Sequence, residues 1–345
     1  QYQHMHINAQ REWKTQHVQE VLERVGAFEY VDVTPTVGSP EIFHYRSKLT
    51  PHYDRPRKLS DDSYEIEVIG FKQKSSRQLV DVPYCPIATE AINEELAKLR
   101  DAKRLEALKG TLRRPTRGAT LLLRDVEEGV CLDPNQQVTT TVSGIKFQFL
   151  AGNFFQNNPY MLPIMVDHVV VAATKPSRRD GTAMTHLIDC YCGSGLFCLT
   201  AAVSFDVCVG IEVNERAVAE ASDNARLNDI MNCAFVAASA EAIFESNQPV
   251  SLPSLEKSCL VNDFPRDQTV VVVDPPRKGC SEEFLSQLYE FGPQRVVYMS
   301  CDPATQARDA RDIVDNGYDM TSIQPFDLFP QTRHIESLII FERQT

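Results

Sequence analysis

The 345-residue sequence has little of what marks fibrous, disulfide-stabilised or membrane-spanning proteins. Its 15 glycines and 20 prolines are too few for a fibrous or low-complexity chain, and it has a single tryptophan. No stretch approaches the roughly 18 apolar residues of a membrane helix, so we expect no membrane contact. The ten cysteines contain no CxxC pair and no regular spacing, which predicts reduced thiols and an intracellular protein of the cytoplasm, the nucleus or the mitochondrion.

The chain begins with Gln1 rather than methionine and carries no signal-like segment, so we expect natural sequence to precede it. Its length favours two domains. Residues 1–150 mix helical and strand-like patterns and are predicted to form a smaller α+β domain, whose N-terminal helix packs on the second domain. Residues 151–345 alternate strand-like and helical stretches, which predicts an α/β domain with a Rossmann-like, doubly wound sheet of seven strands.

The periodicity of apolar residues predicts the bounds of individual helices and strands. The N-terminal helix is predicted over residues 8–26, with an apolar side formed by Trp13, Val18, Val21, Leu22 and Val25. The first domain is predicted to contain strands at Tyr30–Val33, Ile42–Tyr45, Tyr64–Ile69 and Leu79–Val82, among others. The seven strands of the second domain are predicted at His186–Cys190, Val207–Val213, Ala234–Ala238, Thr269–Val273, Arg295–Met299, Thr321–Ile323 and Ser337–Phe341.

Positive charge is scarce, because the net charge is −12 and the whole excess lies in residues 151–345, with 14 basic and 26 acidic side chains. Residues 1–150 are neutral, with 21 of each sign, but eight Lys and Arg lie between Lys98 and Arg117. A second basic group comprises Arg46, Lys48, Arg55, Arg57, Lys58, Lys72, Lys74 and Arg77. Either group fits two interpretations, a solvated surface or a surface that follows the phosphates of a nucleic acid.

A glycine-rich turn follows the first strand of the second domain. The segment Leu187–Gly195 (LIDCYCGSG) runs from a strand into a turn and then into an apolar helix. A dinucleotide fingerprint requires glycine where Cys198 stands, which argues against NAD or FAD. Glu212 ends the next predicted strand, where a carboxylate can accept the ribose hydroxyls of a nucleoside. An ordinary strand–helix turn is the alternative, but the spacing of Glu212 favours a site for a nucleoside cofactor such as S-adenosylmethionine.

Three further groups lie at predicted strand ends. Asp274 begins an Asp-Pro-Pro-Arg segment, in which two prolines fix the backbone beside the ligand crevice. Cys301 follows a strand and precedes a helix, a position where a thiol can act as a nucleophile with a lowered pKa. Glu336 comes directly before the last strand and can act as a general base. Each has a structural alternative: a rigid loop, a small buried thiol and a surface carboxylate, respectively.

Together these groups fit one reaction. Carbon 5 of uracil is a poor nucleophile until a thiolate adds to carbon 6 and moves electron density onto carbon 5. That carbon can then attack a sulfonium methyl group, after which a base removes the carbon-5 proton and the thiol is eliminated. The chemistry requires a nucleophilic cysteine, a carboxylate base and a bound methyl donor, and the sequence offers candidates for all three.

The residues that carry these features resemble the S-adenosylmethionine-dependent RNA uracil-5-methyltransferases, and most of all the eukaryotic, fungal-type tRNA (uracil-5-)-methyltransferases. The similar segments are Phe154–Asn158, Asp189–Gly195, Gly210–Asn214, Asp274–Arg277, Ser300–Thr305 with Arg308 and Asp309, and Phe326–Glu336. The resemblance implies a class I methyltransferase domain, S-adenosylmethionine as cofactor and tRNA, or another structured RNA, as partner. It implies further that a uridine of the tRNA T-loop is methylated after it is flipped out of the RNA stack.

The resemblance also assigns roles. Cys301 matches the nucleophile and Glu336 the base, whereas Gln156, Tyr191, Glu212 and Asp274 match cofactor-site positions. Gln156 and Asp274 are in addition expected near the target uracil, and Arg46 and Lys48 among the RNA contacts. Two residues depart from the family pattern: Leu196 and Asp302 both stand where Asn is common, which affects one polar cofactor contact and the hydrogen bonding around the base.

Some family members hold a [4Fe–4S] cluster through three N-terminal cysteines and a later one, which Cys85 resembles. One thiol cannot hold a cluster, so we expect no metal in this chain, with Cys85 as a possible fourth ligand in a longer protein. The family's N-terminal RNA-binding barrel is likewise expected to be missing, which makes residues 1–150 the central domain. We expect a monomer without a protein partner.

Several alternatives stay open at this point. An rRNA uracil-5-methyltransferase uses the same chemistry on another RNA, and a tRNA-binding or tRNA-folding protein can keep the fold while catalysis is dispensable. A cytosine-5 enzyme would carry its nucleophile beside Asp274-Pro275-Pro276, where this chain has no cysteine. A small-molecule methyltransferase fits the predicted fold but leaves the basic groups of the first domain unexplained.

Overall fold

The computed structural model describes residues 1–73, 76, 78–240 and 261–344. Lys74 and Arg77 of the second basic group lie outside the described residues. The chain divides into two compact units. Unit 1 comprises Gln1–Pro40, Thr141–Phe147 and Tyr160–Thr345, and unit 2 comprises Glu41–Thr140 and Gln148–Pro159. No helix among the described residues has the length and apolar character needed to cross a membrane.

The helices are α1 (Ile7–Arg24), α2 (Glu90–Leu108), α3 (Leu162–Thr174), α4 (Leu196–Ala201), α5 (Glu215–Leu227), α6 (Glu282–Phe291) and α7 (Pro303–Asp315). The strands are β1 (Val37–Gly38), β2 (Lys48–Leu49), β3 (His52–Tyr53), β4 (Arg57–Lys58), β5 (Tyr64–Glu65), β6 (Gly70–Lys72), β7 (Leu79–Asp81), β8 (Ala119–Thr120), β9 (Leu123–Val126), β10 (Gly129–Cys131), β11 (Gln137–Val142), β12 (Ile145–Leu150), β13 (His186–Cys190), β14 (Val207–Glu212), β15 (Cys233–Ala237), β16 (Thr269–Val273), β17 (Arg295–Ser300), β18 (Tyr318–Asp327) and β19 (Glu336–Arg343).

Unit 1 is built on one large sheet with the strand order β1-β18-β19-β17-β16-β13-β14-β15. The strands from β17 to β15 are parallel, whereas β19 runs antiparallel to both β17 and β18. β16 has the sequence TVVVV and is buried along its whole length, as expected for a parallel strand covered on both faces. The predicted doubly wound fold is therefore confirmed.

The predicted strand count of seven is wrong by one for this sheet. Val37 and Gly38 form a short eighth strand that pairs in parallel with Phe326 and Asp327 at the edge. A two-residue strand carries too little alternation to be recognised in a sequence, since its existence depends on the neighbouring strand. β18 is also longer than predicted, at ten residues, because its polar outer positions interrupt the apolar pattern.

The topology fixes where the functional residues meet. From β13 the chain builds outward through β14 and β15, and it then returns to the other side of β13 through β16 and β17. Because these strands are parallel, their carboxyl ends share one edge, and the ligand crevice of such a sheet lies at the reversal beside β13. β19 is antiparallel, so its first residue, Glu336, comes to that same edge.

Helix α1 belongs to unit 1, so the structure divides the chain differently from the predicted boundary at residue 150. Val18 and Leu22 pack into the core of the large sheet, which accounts for the grouping of residues 1–40 with the C-terminal part. The predicted apolar side of this helix is wrong in part, because Trp13 is 54% exposed and Val25 is 50% exposed. The buried stripe is instead continued by Lys14 and Gln10, one and two turns before Val18.

Unit 2 consists of small antiparallel sheets and helix α2. Its sheets have the orders β10-β9-β2, β7-β6-β3-β8 and β4-β5. The Thr89 side chain accepts a hydrogen bond from the Ile92 N–H and begins α2, which buries Ile92 and Leu96 in a core with Leu123. The α+β character predicted for this part agrees with these elements.

Two of the strands predicted before residue 50 are not formed. Residues 30–33 and 42–45 belong to no strand in the described structure. At the first site the backbone N–H of Thr34 bonds to the Ile323 carbonyl, so the chain runs extended beside the sheet without a ladder. β-Branched and aromatic residues favour an extended backbone, but only a hydrogen-bonded neighbour converts it into a strand.

Candidate active site

The glycine-rich turn connects β13 to α4 through three residues in the left-handed region. Tyr191, Gly193 and Gly195 have φ angles of 66°, 54° and 90°. A side chain is costly in this conformation, which explains the two glycines and marks Tyr191 as a strained position. A Cβ atom added at Gly193 would meet nothing within 4 Å, so the backbone of the turn is open to a ligand there.

Glu212 lies at the end of β14 and faces this turn. Its Oε2 accepts a hydrogen bond from the Gly193 N–H at 3.2 Å, and its Oε1 accepts one from the Asn214 N–H at 2.9 Å. Both contacts orient the carboxylate beside the glycine-rich backbone. The structure thus brings Tyr191 and Glu212, two of the predicted cofactor-site residues, to one place.

Asp189 lies in β13 beside the glycine-rich turn, and it was assigned no role from the sequence alone. It is fully buried, and its Oδ2 accepts a hydrogen bond from the Cys198 N–H at 2.9 Å, whereas Oδ1 has no hydrogen-bond partner among the described residues. Burial raises its pKa well above the ordinary value, and the negative charges of Asp274 and Glu212 add to the effect. The available signal was an acidic residue inside a buried strand next to a glycine-rich turn.

Cys301 and Glu336 are brought together by strand pairing. Ser300, the last residue of β17, is the register partner of Ser337 in β19. Cys301 therefore follows this pair on one strand, and Glu336 precedes it on the other. Glu336 is buried at 5% exposure, and Cys301 is half-buried. The thiol and the carboxylate share one corner of the crevice edge.

The prediction of a lowered pKa for Cys301 is wrong. Burial and, to a smaller extent, the negative charges of Glu336 and Asp274 together raise the pKa of this thiol to about 11, although Arg277 opposes them. The sequence placed the cysteine before a helix, where a thiolate is stabilised, but it did not show two carboxylates beside the sulfur. The resting thiol is protonated and must lose its proton before it can act as a nucleophile.

The pKa values of both carboxylates are raised. Burial raises the pKa of Asp274 to about 7. The pKa of Glu336 lies well above its ordinary value because of burial and the nearby Asp274, while the cations of Arg277 and Lys14 act against this rise. Paired carboxylates that hold protons near neutral pH are typical of acid–base sites.

Arg277 and Lys14 are charged residues of the site that were assigned no role from the sequence. Arg277 ends the Asp-Pro-Pro-Arg segment, and its backbone carbonyl accepts a hydrogen bond from Thr305 Oγ1 at 3.1 Å, which ties the segment to α7. The position of Arg277 at the end of the Asp-Pro-Pro-Arg segment, three residues after Asp274, could have indicated that it belongs to the site. Lys14 offered no signal, because a lysine in an N-terminal helix normally lies on its solvated face.

The departures at Asp302 and Leu196 have visible local consequences. Asp302 caps α7, since its Oδ1 accepts hydrogen bonds from the N–H groups of Ala304 and Thr305 at 3.1 and 3.3 Å. Its carboxylate is therefore directed to the helix. Leu196 is the first residue of α4, directly after Gly195, and brings an apolar side chain to that position.

Three predicted site residues lie in unit 2. Gln156 lies in the segment 148–159 and is half-buried. Arg46 Nε donates to the Lys48 carbonyl, and Lys48 Nζ donates to the carbonyls of Gly152 and Asn153, each at 2.9 Å. Burial and the nearby Arg124 and Arg46 lower the pKa of Lys48 to about 8. The roles expected of Gln156, Arg46 and Lys48 stay predictions.

The thiols of the described residues do not fit an iron–sulfur cluster at Cys85. All nine described cysteines are free, and the group of three with sulfurs within 4.8 Å of one another is Cys198, Cys208 and Cys233, in the core of unit 1. Cys85 lies in a turn where its N–H donates to Asn93 Oδ1 and its carbonyl accepts from Asn93 Nδ2.

Comparison with known proteins agrees with this geometry. A family model described as tRNA (Uracil-5-)-methyltransferase matches residues 35–344. The tRNA (uracil(54)-C(5))-methyltransferase of Schizosaccharomyces pombe is 36% identical over 317 residues, which cover 89% of this chain and 56% of that protein. An uncharacterized RNA methyltransferase of Enterococcus faecalis is 32% identical over 394 residues, with 99% of this chain and 80% of that protein covered.

A solved structure shares the fold. The Pyrococcus abyssi tRNA (uracil-54, C5)-methyltransferase, crystallised with S-adenosyl-L-homocysteine, superposes with a TM-score of 0.69 at 22% identity and covers 99% of this chain and 84% of its own. The present chain spans about half the length of the fungal relatives that it matches, at 56% and 54%. The family model nevertheless covers nearly all of it. The chain therefore belongs to the tRNA (uracil-5-)-methyltransferase family.

Proposed function

We propose that the protein transfers a methyl group from S-adenosylmethionine to carbon 5 of a uridine in RNA, and that its substrate is the T-loop uridine of tRNA. The observation that carries the proposal is the meeting of Cys301 and Glu336 at the ends of paired strands, within electrostatic reach of Asp274 and Arg277. The relatives named for uracil-54 methylation of tRNA support the choice of RNA.

The glycine-rich turn fits the methyl donor. Gly193 leaves open space beside the backbone, Glu212 presents a carboxylate for ribose hydroxyls, and Asp189 keeps one buried oxygen without a hydrogen-bond partner in the described structure. Tyr191 and Asp274 border the same edge of the sheet in unit 1, and the cofactor role of Gln156 is proposed from the family resemblance alone. When bound, the donor supplies an electrophilic methyl group on a positively charged sulfur.

Cys301 begins the reaction by adding to carbon 6 of the uracil. A carbon–sulfur bond forms, and the electron pair of the carbon 5–carbon 6 double bond moves onto carbon 5 and the neighbouring carbonyl. The thiol proton must leave first, because the pKa of Cys301 is about 11. Asp274, with a pKa of about 7, is partly ionised at neutral pH, and its charge acts on the thiol, so we assign it as the acceptor of that proton.

Glu336 completes the reaction. After carbon 5 has taken the methyl group, it carries both the methyl group and a hydrogen. The Glu336 carboxylate removes this hydrogen as a proton, the double bond re-forms, and the carbon–sulfur bond to Cys301 breaks, which returns the free sulfur. A carboxylate with a raised pKa is the stronger base, so its burial suits the step.

RNA that contains 5-fluorouridine tests the assignment. Fluorine at carbon 5 cannot leave as a cation, so the enzyme stays bound to the RNA through Cys301, and a slower band is expected on a denaturing gel. Cys301→Ala should abolish the adduct. Cys85→Ala is the matched control, because Cys85 is the other half-exposed thiol among the described cysteines, and it should form the adduct like wild type. An adduct in Cys301→Ala would end the assignment.

The RNA is identified by mass mapping of methylated uridines after incubation of tRNA and of rRNA fragments with the methyl donor. Methylation confined to the T-loop position supports the tRNA proposal, and methylation confined to rRNA contradicts it. A tRNA-folding role independent of catalysis predicts that Glu336→Gln folds tRNA as well as wild type without methylating it. The monomeric state and the intracellular location stay predictions.

A further inference from the structure

The loop of residues 328–335 leads directly into the proposed base, because it joins β18 to Glu336 at the start of β19. Functional residues at and beside loops are positioned by the rigid scaffold around them. The supports of this loop come from the opposite end of the sequence. Residues of the N-terminal segment and of α1, all in unit 1, bond to this loop at several points.

Gln10 holds the middle of the loop. Its Nε2 donates to Gln331 Oε1 at 2.9 Å, and the Gln331 N–H donates to Gln10 Oε1 at 3.0 Å. Gln331 has a φ of 66°, a conformation that a non-glycine residue adopts only when its surroundings impose it. The Tyr2 N–H also donates to the Gln331 carbonyl at 3.0 Å.

Lys14 holds the beginning of the loop, one helical turn further along α1. It is 1% exposed, and its Nζ lies 2.5 Å from Asp327 Oδ1 and 3.3 Å from the Phe329 carbonyl. Burial lowers its pKa, whereas Asp327 and Glu336 favour the charged form and Arg11 opposes it. A lysine is seldom buried to this degree unless it is paired, and here the pair lies beneath the proposed base.

We propose that Lys14 is a positioning residue for Glu336, which anchors the 328–335 loop through Asp327 and Phe329 and places a buried cation beside the carboxylate. The proposal rests on the proposed role of Glu336 as the base. It gives α1 a function in the chemistry, although none of its residues touches the reacting atoms.

The charges around Glu336 explain why this cation matters. Asp274 acts to keep Glu336 protonated, and among the described residues Arg277 and Lys14 act against it. Cys301 faces the same carboxylate and is neutral at rest. Loss of the Lys14 cation therefore increases the protonated fraction of Glu336, and a protonated carboxyl group cannot take the carbon-5 proton. The addition of Cys301 and the methyl transfer come before that step.

Three variants test the proposal: Lys14→Met, the double variant Lys14→Met with Asp327→Asn, and Gln16→Met as a control. The double variant removes the cation without leaving a buried, unpaired carboxylate, so it keeps the test valid if the single variant fails to fold. Gln16 lies on the exposed side of the same helix. Single-turnover assays measure two rates, the appearance of labelled methyl in RNA and the release of methylated RNA from the covalent complex.

Both Lys14 variants are expected to transfer methyl at nearly the wild-type rate and to release RNA about tenfold more slowly at pH 7, with recovery as the pH rises, since one unit of pKa corresponds to a factor of ten. Gln16→Met should match wild type. Release at the wild-type rate overturns the proposal. So does equal slowing of both rates in the single variant with full recovery in the double variant, which would show a structural role only. If wild type forms no adduct at all, the proposed function has failed instead.

Discussion

The two units use their charged side chains differently. Unit 1 contains charged groups that are buried and face one another: Lys14 with Asp327, and Asp274 with Glu336. In unit 2 many basic side chains are exposed and paired locally with acids, as in the pairs Arg57–Glu65 and Lys58–Asp62. Buried charges change protonation and reactivity, whereas solvated charges attract a partner over a distance. We therefore assign chemistry to unit 1 and recognition to unit 2.

The largest effect is expected from Glu336→Gln in unit 1. The amide cannot accept the carbon-5 proton, so turnover should fall by about 10²–10⁴-fold. Formation of the covalent complex does not need this carboxylate, so the methylated RNA–protein complex should accumulate on uridine-containing RNA. Denaturing gels and methyl-incorporation assays measure the two quantities.

This outcome separates a base from a structural carboxylate. A variant that neither methylates RNA nor forms the complex would show that Glu336 serves binding or folding. Normal turnover in Glu336→Gln would contradict the role of Glu336 as the base. It would also contradict the assignment of the chemistry to the buried charges of unit 1.

A large loss of stability is expected when a buried pair of unit 1 is broken. Arg295 Nη2 donates to Glu342 Oε1 at 2.7 Å, and its Nη1 donates to the Ala172 carbonyl at the end of α3. Arg295→Met leaves Glu342 buried without its cation and should lower the free energy of unfolding by about 3–5 kcal/mol. Arg57→Met in unit 2 removes an exposed pair and should leave that free energy almost unchanged. Denaturant titrations measure the free energy of unfolding of both variants. Similar decreases in the two would contradict the proposed difference between the units.

The two units also differ in how well their strands could be predicted from the sequence. β13 and β16 were predicted with their observed bounds, because strands buried on both faces form continuous apolar runs. The positions of Tyr191, Asp274 and Cys301 followed, since each comes directly after such a strand. In unit 2 most strands have two or three residues, and so short a run has no period to detect.

In unit 1 the sequence predicted the positions of the site residues along the chain, but it did not predict which groups surround them. The sequence placed Cys301 correctly before a helix but gave it the wrong pKa direction, because the burial of the thiol and the nearby carboxylates of Glu336 and Asp274 depend on distant parts of the chain. Lys14 could not be recognised, since its burial depends on a loop more than 300 residues later. The pKa of a side chain depends on the residues that folding brings next to it, and a single sequence does not show which residues these are.

A moderate effect on stability with a distinctive pH dependence is expected from Asp274→Asn. The ordinary pKa of an aspartate is 3.8, and in the folded protein it is about 7. Between these values the folded state keeps a proton that the unfolded state releases, so stability is greatest below about pH 4 and falls as the pH rises towards 7. The asparagine amide of the Asp274→Asn variant does not ionise, so its stability does not fall for this reason as the pH rises.

Asp274→Asn should therefore be more stable than wild type by roughly 4 kcal/mol at pH 8, with the difference vanishing near pH 4. Methyl transfer should fall at the same time, because the proposed acceptor of the thiol proton is gone. Thermal unfolding across this pH range provides the measurement. A constant difference at every pH would mean that packing rather than ionisation separates the two proteins.

The smallest effect is expected at the surface of unit 2. Arg113, Arg114 and Arg117 are exposed, and their guanidinium groups form no ion pair with the rest of the described chain. Replacing all three with alanine should leave stability and the chemistry of the bound complex unchanged. It should weaken RNA binding and lower the slope of log affinity against log salt by about 2, because each lost phosphate contact removes nearly one released counterion.

Three lysines of unit 2 provide a control with the same change in net charge. Lys58, Lys98 and Lys103 are paired with Asp62, Glu95 and Glu106, respectively. Their replacement with alanine should change the salt slope less, since a cation engaged by a neighbouring acid contributes less to phosphate binding. Equal slopes for the two triple variants would show that net charge alone attracts the RNA. A smaller slope only in the arginine variant would locate the RNA-binding surface at residues 113–117 and complete the separation of recognition in unit 2 from chemistry in unit 1.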